Sequence, residues 1–460
     1  MNHSLDTFKK WFSSNEKTIE KQFFDFLRFP SISADLSFRP ELKNCAKWVQ
    51  NYLKEMGFDV QMWHEDDAPI IFASHMKAGS DKPTLLIYNH YDVQPVDPIE
   101  LWDSKPFEPT REGDLIVARG AQDNKGQCMY VLAALQAIIK ETGSLPINIK
   151  LCIEGQEESG SKLLSEIVSK KSKELQADYL LIADFGMRTA QTPAITLGMR
   201  GLTAWTIEVQ GANTDMHSGF NGGIVYNPLH ALVEILARLR DQSGQITIPG
   251  FYDMMVMPTA DELSCLTFDF DEEEFAKEYG CKPTGGEKSF SPLQRAWLRP
   301  SLEINGISGG YAGPGTKTVI PSKAIAKLTS RLVPNQDPYD IAEKLKRYVE
   351  AIAPQGVHVT CTIHDGVGSP LRTSPHSPVV QALSKACEKV FQSRTEFILE
   401  GASIPVAAKL QEASKTEVAL FGLGLASDKI HAPNECFNWS RLEKGFCIIC
   451  DLLYSLAHKS

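Results

Sequence analysis

The feature of this chain that most restricts its fold is an alternation of short apolar runs with a longer amphipathic segment. Apolar runs of strand length occupy residues 84–88, 147–153 and 179–182, and residues 128–139 have the pattern of a helix with a strong apolar face. Strands that alternate with helices build βαβ units, which give a mainly parallel sheet with helices on both faces. The sequence therefore predicts an α/β fold for this part of the chain.

A different pattern begins after Gly201 and predicts an inserted domain. Helical segments alternate there with strand-like runs in the order β–α–β–β–α–β, which is the order of a ferredoxin-like α+β domain. The segments are strands at 202–209, 317–320, 324–332 and 357–363, and helices at 227–240 and 338–353, with a polar, irregular stretch at 241–315.

The chain then returns to the first sheet. A helix near residues 378–391, a strand at 418–425 and a final helix from Ser440 follow the insert. We therefore predict one domain made of residues 1–199 and 368–460, interrupted by a second domain at 200–367.

Composition excludes several classes of function. Of the 460 residues, 43% are hydrophobic and 23% charged, and the formal net charge is −10. Nucleic-acid binding needs clustered positive charge, so we expect no nucleic-acid partner. Ten scattered cysteines are too few for a disulfide framework, and no apolar run approaches the ~18 residues of a membrane span. The N-terminus has no apolar signal segment, so we expect a cytoplasmic protein with no membrane partner.

Acidic and histidine side chains follow the predicted parallel strands. In open α/β sheets, sites form at the carboxyl edge, so we expect side chains at the strand ends to converge there. The strand-end residues are His90, Asp92, Glu157, Glu158 and Asp184; His431 follows the strand at 418–425, and Asp123 precedes the helix at 128–139.

This set of residues has the composition of a site for two divalent metal ions. Two imidazoles and three carboxylates can hold two ions if one carboxylate bridges them, which leaves room for a shared water. In the adjacent pair Glu157 and Glu158, one residue can ligate while the other acts as general base. Asp92 can accept the second N–H of His90 and fix its tautomer. Singly, such residues are usually structural, so their co-occurrence at one edge is what indicates a metal site.

Four further segments of the chain carry recognisable motifs: YNHYDVQP (88–95), GAQDNKG (120–126), EGQEESGS (154–161) and HAPNE (431–435). They resemble the signatures of the M20 metallopeptidases, and most closely those of the carnosinase and cytosolic nonspecific dipeptidase group. The resemblance extends from the first helix to the last and implies a dipeptide substrate and two divalent ions, Zn²⁺ or Mn²⁺.

The resemblance also assigns roles to individual residues. It implies that His90 and Asp184 hold one ion, that Glu158 and His431 hold the other, and that Asp123 bridges the two. Glu157 would be the general base and Asp92 the residue that orients His90. A cis peptide bond between Asp123 and Asn124 is implied as well.

The inserted domain carries further matches, which imply that it is a lid and dimerisation domain. Residues 215–219 (DMHSG) resemble the family's lid motif, whose histidine reaches the neighbouring subunit's active site in homodimeric members. His217 would then contact substrate and stabilise the developing oxyanion. Thr318, Arg331 and Ser403 match substrate-binding positions, and the planar fork of Arg331 suits a C-terminal carboxylate. Ala402 departs from the pattern, because close relatives usually carry Gly there.

Three functions remain open. The first is a two-metal dipeptidase, which the matches in the inserted domain favour. The second is a related amidase, an N-acyl amino-acid deacylase or desuccinylase, and the third is a non-catalytic scaffold, which typically lacks some of the metal-site residues. A G-x-S-x-G pattern at residues 306–310 lacks the following helix that a serine hydrolase needs, so we do not interpret it as a nucleophile motif.

Overall fold

Two compact units make up the described part of the chain. The structure is a computed structural model that describes residues 4–365, 367–402, 404 and 406–458. The first unit consists of the residues up to Leu197, residues 373–398 and the residues from Val406 on; the second consists of residues 198–372 and 399–405. The domain boundaries predicted from the sequence, at 199/200 and 367/368, stay predictions.

The helices differ widely in burial. The helix that starts directly after Asn124 is buried along almost its whole length, whereas the first two helices of the described ranges, which are separated only by Asn15, each bury one face. The helices are α1 (Leu5–Ser14), α2 (Glu16–Leu27), α3 (Arg39–Glu55), α4 (Lys125–Thr142), α5 (Lys162–Ile167), α6 (Ser172–Leu175), α7 (Ser218–Asn221), α8 (Pro228–Ala237), α9 (Ala260–Cys265), α10 (Glu272–Tyr279), α11 (Pro292–Trp297), α12 (Pro338–Ala351), α13 (Pro378–Phe391), α14 (Ala407–Ser414) and α15 (Trp439–Ala457).

In the described ranges, the strands form four sheets. They are β1 (Asp59–Trp63), β2 (Ile70–His75), β3 (Thr84–His90), β4 (Thr110–Glu112), β5 (Leu115–Val117), β6 (Asn148–Glu154), β7 (Tyr179–Ala183), β8 (Ala194–Met199), β9 (Gly201–Gln210), β10 (Met216–His217), β11 (Ser301–Gly309), β12 (Val319–Ile320), β13 (Lys323–Leu332), β14 (His358–Ile363), β15 (Leu371–Arg372), β16 (Glu396–Glu400), β17 (Glu417–Phe421) and β18 (Cys436–Asn438).

The largest sheet has a parallel centre. Its strand order is β1-β2-β6-β3-β7-β17-β8-β15, with β16 paired to β8, and the four neighbours β6, β3, β7 and β17 run parallel. The flanking strands β1, β2 and β8 join antiparallel. Every residue of β3 is buried, as expected for a strand covered on both faces. The predicted α/β fold with a mainly parallel central sheet is therefore confirmed, and the antiparallel margins are an addition to it.

The second unit contains a four-stranded antiparallel sheet in the order β11-β13-β9-β14. Helices α8 and α12 contribute apolar side chains to one core with β9, among them Leu232, Leu345 and Trp205. Numbered within this unit, the strand order is 2-3-1-4, which is ferredoxin-like as predicted.

One strand of this sheet lies where the sequence predicts an irregular stretch. The second strand is β11, inside residues 241–315, and not the predicted run at 317–320. A register shift between Ile304 and Gly306 breaks its periodicity, and most of its residues face solvent. Residues 319–320 pair instead with Met216 and His217. The G-x-S-x-G pattern begins on β11 and no helix follows it directly, which confirms that it is not a nucleophile motif.

All ten cysteines are unpaired thiols, and Cys447 and Cys450 are buried on α15. Within the described ranges, none of the helices combines the length and the apolar character needed to span a bilayer.

Candidate two-metal active site

The first unit brings the seven predicted site residues to the carboxyl edge of its parallel strands. Five of them lie at or just beyond the end of a strand, where the backbone leaves the sheet. His90 ends β3, Asp92 lies two residues further on, Glu157 and Glu158 lie in a short 3₁₀ turn after β6, and Asp184 directly follows β7. Asp123 is separated from the start of α4 by Asn124, and His431 lies in the long loop between β17 and β18.

His90 contacts two carboxylates through one ring nitrogen. Its Nε2 atom lies 3.1 Å from Oδ1 of Asp123 and 3.5 Å from Oδ2 of Asp184. The other nitrogen, Nδ1, lies 3.1 Å from the carbonyl oxygen of Asp92 and 3.3 Å from a carboxylate oxygen of the same residue. The imidazole is completely buried, so these contacts fix its plane.

His431 forms a matching group on the other side of Asp123. Its Nε2 atom lies 3.0 Å from Oδ2 of Asp123 and 3.2 Å from Oε2 of Glu158. Each oxygen of Asp123 therefore faces a different histidine. Two sets of ligand atoms result, each within 4.8 Å, and both include Asp123: His90, Asp123 and Asp184, and Asp123, Glu158 and His431.

The donor set fits a pair of divalent ions. Imidazole nitrogens and carboxylate oxygens suit Zn²⁺ and Mn²⁺, and the shared carboxylate is positioned to bridge. With Asp92 and Glu157, five carboxyl groups crowd around two imidazoles, an excess of negative charge that divalent cations would offset. The residues present therefore match a dinuclear site in number, type and arrangement.

The pKa values show how strongly these groups interact. Burial, supplemented by neighbouring carboxylates, raises the pKa of Glu157 well above its ordinary value. Burial and the charge of Asp123 raise the pKa of Glu158 to about 7. Hydrogen bonds with Asp123 and Glu158 raise the pKa of His431 to about 10. Burial opposes ionisation of Asp123, but its contacts with His431 and His90 outweigh burial and hold its pKa well below the usual range.

Asp92 links His90 to the turn that carries the two glutamates. Its carboxylate oxygens accept hydrogen bonds from the backbone N–H groups of Glu157, at 3.2 Å, and Glu158, at 3.1 Å. Asp92 itself is completely buried. One carboxylate therefore holds both the imidazole and the turn in place.

Asn124 supports the site from the sheet side. Its Nδ2 atom donates to Oδ1 of Asp184 at 2.6 Å, and its Oδ1 atom accepts from Nδ2 of Asn89 at 2.7 Å. The peptide bond between Asp123 and Asn124 is cis, as the resemblance implies.

Glu435 is a functional candidate to which the sequence analysis assigned no role. Its Oε2 atom accepts from Arg119 and from the backbone N–H of Gly120, both at 2.8 Å. Its Oε1 atom accepts from the backbone N–H groups of Gln122 and Asp123, both at 3.0 Å. Glu435 therefore ties the loop of the bridging Asp123 to the segment that begins with His431.

Gln94 was missed in the same way. Its Nε2 atom donates to Oε2 of Glu158 at 2.8 Å and to the carbonyl oxygen of Glu158 at 3.2 Å. Gln94 and Glu435 both lie within the four family-like segments, at 88–95 and 431–435. Their membership of those segments was the available signal.

In the second unit, the structure places two of the predicted substrate residues together. Oγ1 of Thr318 lies 3.1 Å from Nε2 of His217, and Nδ1 of His217 accepts from the backbone N–H of Gly219 at 3.0 Å. Arg331 lies on β13, opposite Leu202 of β9. Ser403, the fourth predicted residue, lies outside the described residues. The roles assigned to all of these residues stay predictions.

Comparison with known proteins finds relatives that cover most of the chain. The chain is 31% identical over 458 residues to the Cys-Gly metallodipeptidase dug1 of Schizosaccharomyces pombe, covering 94% of each chain. It is 34% identical over 388 residues to the human Beta-Ala-His dipeptidase, covering 82% of this chain and 75% of the relative. The solved structure of the di-peptidase Dug1p from Saccharomyces cerevisiae matches all of both chains with a TM-score of 0.80 at 27% identity.

A family profile covers most of the chain. The profile of Peptidase family M20/M25/M40 matches residues 86–455, which include the whole carboxylate and histidine cluster. That range also contains the four sequence segments on which the resemblance was based. The chain therefore belongs to Peptidase family M20/M25/M40.

Proposed function

We propose that this protein is a metallodipeptidase, which hydrolyses the peptide bond of dipeptides with the help of two divalent metal ions. The observation that carries the proposal is the position of Asp123, whose two carboxylate oxygens face His90 and His431 at 3.1 and 3.0 Å. The relatives described above are named as dipeptidases and cover most of the chain, and they support the substrate class. A deacylase is not favoured.

The metal ligands follow from the two groups. His90 and Asp184 would hold one ion, Glu158 and His431 would hold the other, and Asp123 would contribute a carboxylate oxygen to each. Zn²⁺ and Mn²⁺ are the ions proposed, because both accept mixed imidazole and carboxylate ligands. When bound, such ions polarise the substrate carbonyl and lower the pKa of a shared water.

Glu157 is the general base of the proposed reaction. It lies beside Glu158 in the turn whose backbone Asp92 holds, so its carboxyl group belongs to the same cluster as the proposed metal ligands. Glu157 takes a proton from the attacking water and returns it to the leaving amine. Asp92 is a positioning residue, since it contacts His90 and the backbone of the glutamate turn.

The second unit supplies the substrate contacts in this proposal. Arg331 binds the C-terminal carboxylate of the dipeptide through two parallel hydrogen bonds. Thr318 and Ser403 contact the substrate, and His217, which Thr318 contacts, stabilises the developing oxyanion. This unit is thus proposed to be a lid and dimerisation domain.

A homodimer completes the proposal. The strand β11 is an edge of its sheet and exposes Ile304 and Ile307, at 41% and 54%. Beside His217, Phe220 and Ile224 are exposed at 79% and 77%. A second copy of the chain would cover such apolar side chains and would place His217 at its neighbour's active site. We also propose a cytoplasmic location, because unpaired thiols are typical of reducing compartments.

The function is tested with protein stripped by a chelator and then reloaded with Zn²⁺ or Mn²⁺. The substrates are dipeptides with a free amino group and the matched N-acetyl and N-succinyl amino acids. We expect metal-dependent cleavage of the dipeptides alone. Cleavage of only the acylated amino acids would replace the proposal by the deacylase. Two bound ions without cleavage of either class would point to a scaffold.

A further inference from the structure

Arg119 is a buried side chain of the first unit that has no role in the proposed function. It stands directly before the family-like segment at 120–126, and its side chain is only 1% exposed. A buried guanidinium is costly unless its N–H groups find acceptors inside the protein. The acceptors of Arg119 therefore indicate which parts of the molecule it holds.

The two Nη atoms of Arg119 bind two different segments of the chain. Nη1 donates to Oε2 of Glu435 at 2.8 Å, and Nη2 donates to the carbonyl oxygen of Pro95 at 2.9 Å. The guanidinium carbon lies 5.3 Å from the centre of the Trp102 ring, which favours the charged form. Because the guanidinium is planar and its donors have fixed directions, Arg119 sets the distance between the segments of Pro95 and Glu435.

The segment of Pro95 leads to Glu158. Pro95 directly follows Gln94, whose Nε2 atom donates to Oε2 of Glu158 at 2.8 Å and to its carbonyl oxygen at 3.2 Å. This segment is therefore fastened to Arg119 at one residue and to a proposed metal ligand at the next. A displacement of Pro95 would move Gln94 and weaken its hold on Glu158.

The segment of Glu435 leads to His431 and Asp123. Glu435 lies four positions after His431, and its second oxygen, Oε1, accepts from the backbone N–H groups of Gln122 and Asp123 at 3.0 Å. Both ligands that belong only to the proposed second ion, Glu158 and His431, are thus on segments that Arg119 joins.

Asn434 joins the same two segments, but at the surface. Its Oδ1 atom accepts from the backbone N–H of Asp103 at 2.8 Å, and its Nδ2 atom donates to the carbonyl oxygen of Leu101 at 3.1 Å. Both bonds are exposed, so water competes for their donors and acceptors. The bond between Arg119 and Glu435 is buried and charged on both sides, which makes it the stronger link.

The other group of ligand atoms is held differently. His90 ends β3 and contacts Asp92 through Nδ1, and Asp184 accepts from Nδ2 of Asn124 at 2.6 Å. Among the described residues, Arg119 forms no hydrogen bond or ion pair with either His90 or Asp184. A change at Arg119 should therefore act on one ligand group more than on the other.

We propose that Arg119 is a positioning residue for the ion that Glu158 and His431 would hold. Its fork joins the segment of Gln94 and Pro95 to the segment 431–435, and so keeps this ligand group in the arrangement that binds metal. The inference rests on the proposed function, because it assumes the two ions of that proposal. Residues that support metal ligands typically change metal affinity by 10- to 100-fold when they are altered.

The test is the variant Arg119→Lys, titrated calorimetrically with Zn²⁺ or Mn²⁺ after the protein has been stripped by a chelator. Lysine keeps the charge but replaces the planar fork by one nitrogen, so the two acceptors lose their fixed separation. The binding step that His431→Ala abolishes identifies the ion of His431. We expect Arg119→Lys to weaken this step at least tenfold and the other step less than threefold.

Arg111→Lys is the matched control. Arg111 also pairs with a carboxylate, that of Glu20, and lies 4.5 Å from the centre of the Trp439 ring. Within the described ranges it forms no hydrogen bond or ion pair with a proposed metal ligand, so both binding steps should be unchanged.

Arg119→Ala is a second variant that separates positioning from folding. Millimolar guanidinium ion, which supplies the fork without the tether, should restore the weakened step, whereas ethylammonium ion should not. Near-ultraviolet circular dichroism shows whether the variants are folded.

Three results would overturn the proposal. They are an unchanged affinity of Arg119→Lys in both steps, an equal loss in both steps, and equal rescue of Arg119→Ala by the two cations. These measurements use no substrate, so they are independent of turnover. If no dipeptide is cleaved but the His431 step alone weakens, the proposed function fails and the role of Arg119 stands. If dipeptides are cleaved and Arg119→Lys binds both ions normally, only the role of Arg119 fails.

Discussion

The carboxylate cluster of the first unit and the His217 region of the second are held in very different ways. In the first unit, His90 and Asp92 are completely buried, and backbone N–H groups, amides and carboxylates surround the ligand atoms. In the second, His217 is exposed, and its ring is held by the N–H of Gly219 and by Thr318.

The difference shows which part of the chemistry tolerates movement. Metal ligands must keep their mutual distances, and the proposed ligands His90 and Asp184 accordingly lie at strand ends with supporting hydrogen bonds, whereas His431 lies in a loop and is half exposed. A residue that meets a substrate or a neighbouring subunit can remain exposed until that contact forms. The predictions below test this contrast.

The largest effect is expected from Glu157→Gln. The amide cannot accept a proton, so kcat should fall by about 10³-fold, while both ions stay bound because the ligands are intact. Steady-state kinetics and metal analysis on the same sample measure both quantities. Glu166→Gln, an exposed glutamate of α5, is the matched control and should keep normal activity. If Glu157→Gln retains more than a tenth of the activity, Glu157 is not the base.

A loss of about 10²-fold in kcat/KM is expected from His217→Ala, because one oxyanion donor is removed. If His217 acts in the neighbouring subunit, mixing this variant with Glu157→Gln should create dimers with one complete site, and activity should return. The mixture is assayed after exchange of subunits, with each variant alone as the reference. Activity that stays at the level of the separate variants after confirmed exchange would place His217 in its own subunit's site.

A smaller effect is expected on metal binding from Glu435→Gln. Both oxygens of Glu435 accept hydrogen bonds from backbone N–H groups. A glutamine side chain would replace one of these oxygens by an NH₂ group, which cannot accept a hydrogen bond, so the loop that carries Asp123 would become looser. Metal affinity measured by calorimetry should fall by about 10- to 100-fold, as for other residues that support metal ligands. The exposed Glu412→Gln on α14 is the control. Unchanged affinity would show that the loop keeps its shape without Glu435.

A pH-dependent change in stability is expected from Glu154, a buried residue at the end of β6. Its Oε1 atom accepts from Tyr88 at 2.6 Å and from Ser161 at 2.8 Å, and burial raises its pKa to about 7. Because the folded-state pKa is the higher one, its stabilising contribution is complete below pH 4.5 and is lost as the pH rises through 7. The free energy of unfolding of the wild type should therefore fall by up to about 3 kcal/mol as the pH rises, and that of Glu154→Gln should not show this loss.

Denaturant unfolding at pH 5.5 and pH 8 measures this effect. The difference in stability between wild type and Glu154→Gln should move in favour of the variant at the higher pH. A difference that is the same at both pH values would mean that Glu154 does not titrate in this range.

Much of the site could be predicted because its chemistry resides in short local segments. The segments at 88–95, 120–126, 154–161 and 431–435 contain the metal-site residues together with Gln94 and Glu435, apart from Asp184. Asp184 was predicted because it follows an apolar strand. The parallel centre of the sheet could be predicted for a similar reason, since the apolar strands alternate with helical segments.

Strand β11 could not be predicted, because its exposed edge position and its register shift remove the alternation that identifies a strand. The antiparallel margins of the large sheet were missed as well, because strand direction at an edge depends on long-range pairing rather than on local pattern.

By itself, the sequence determined which residue types meet at the sheet edge and which family they resemble. Only the tertiary structure decided that Asp123 turns one oxygen to each histidine and that Glu435 binds a loop more than 300 positions away. It also decided that Arg119 binds both Glu435 and Pro95. These relations depend on distances between residues far apart in the chain, and such distances are set by packing, which leaves no local pattern.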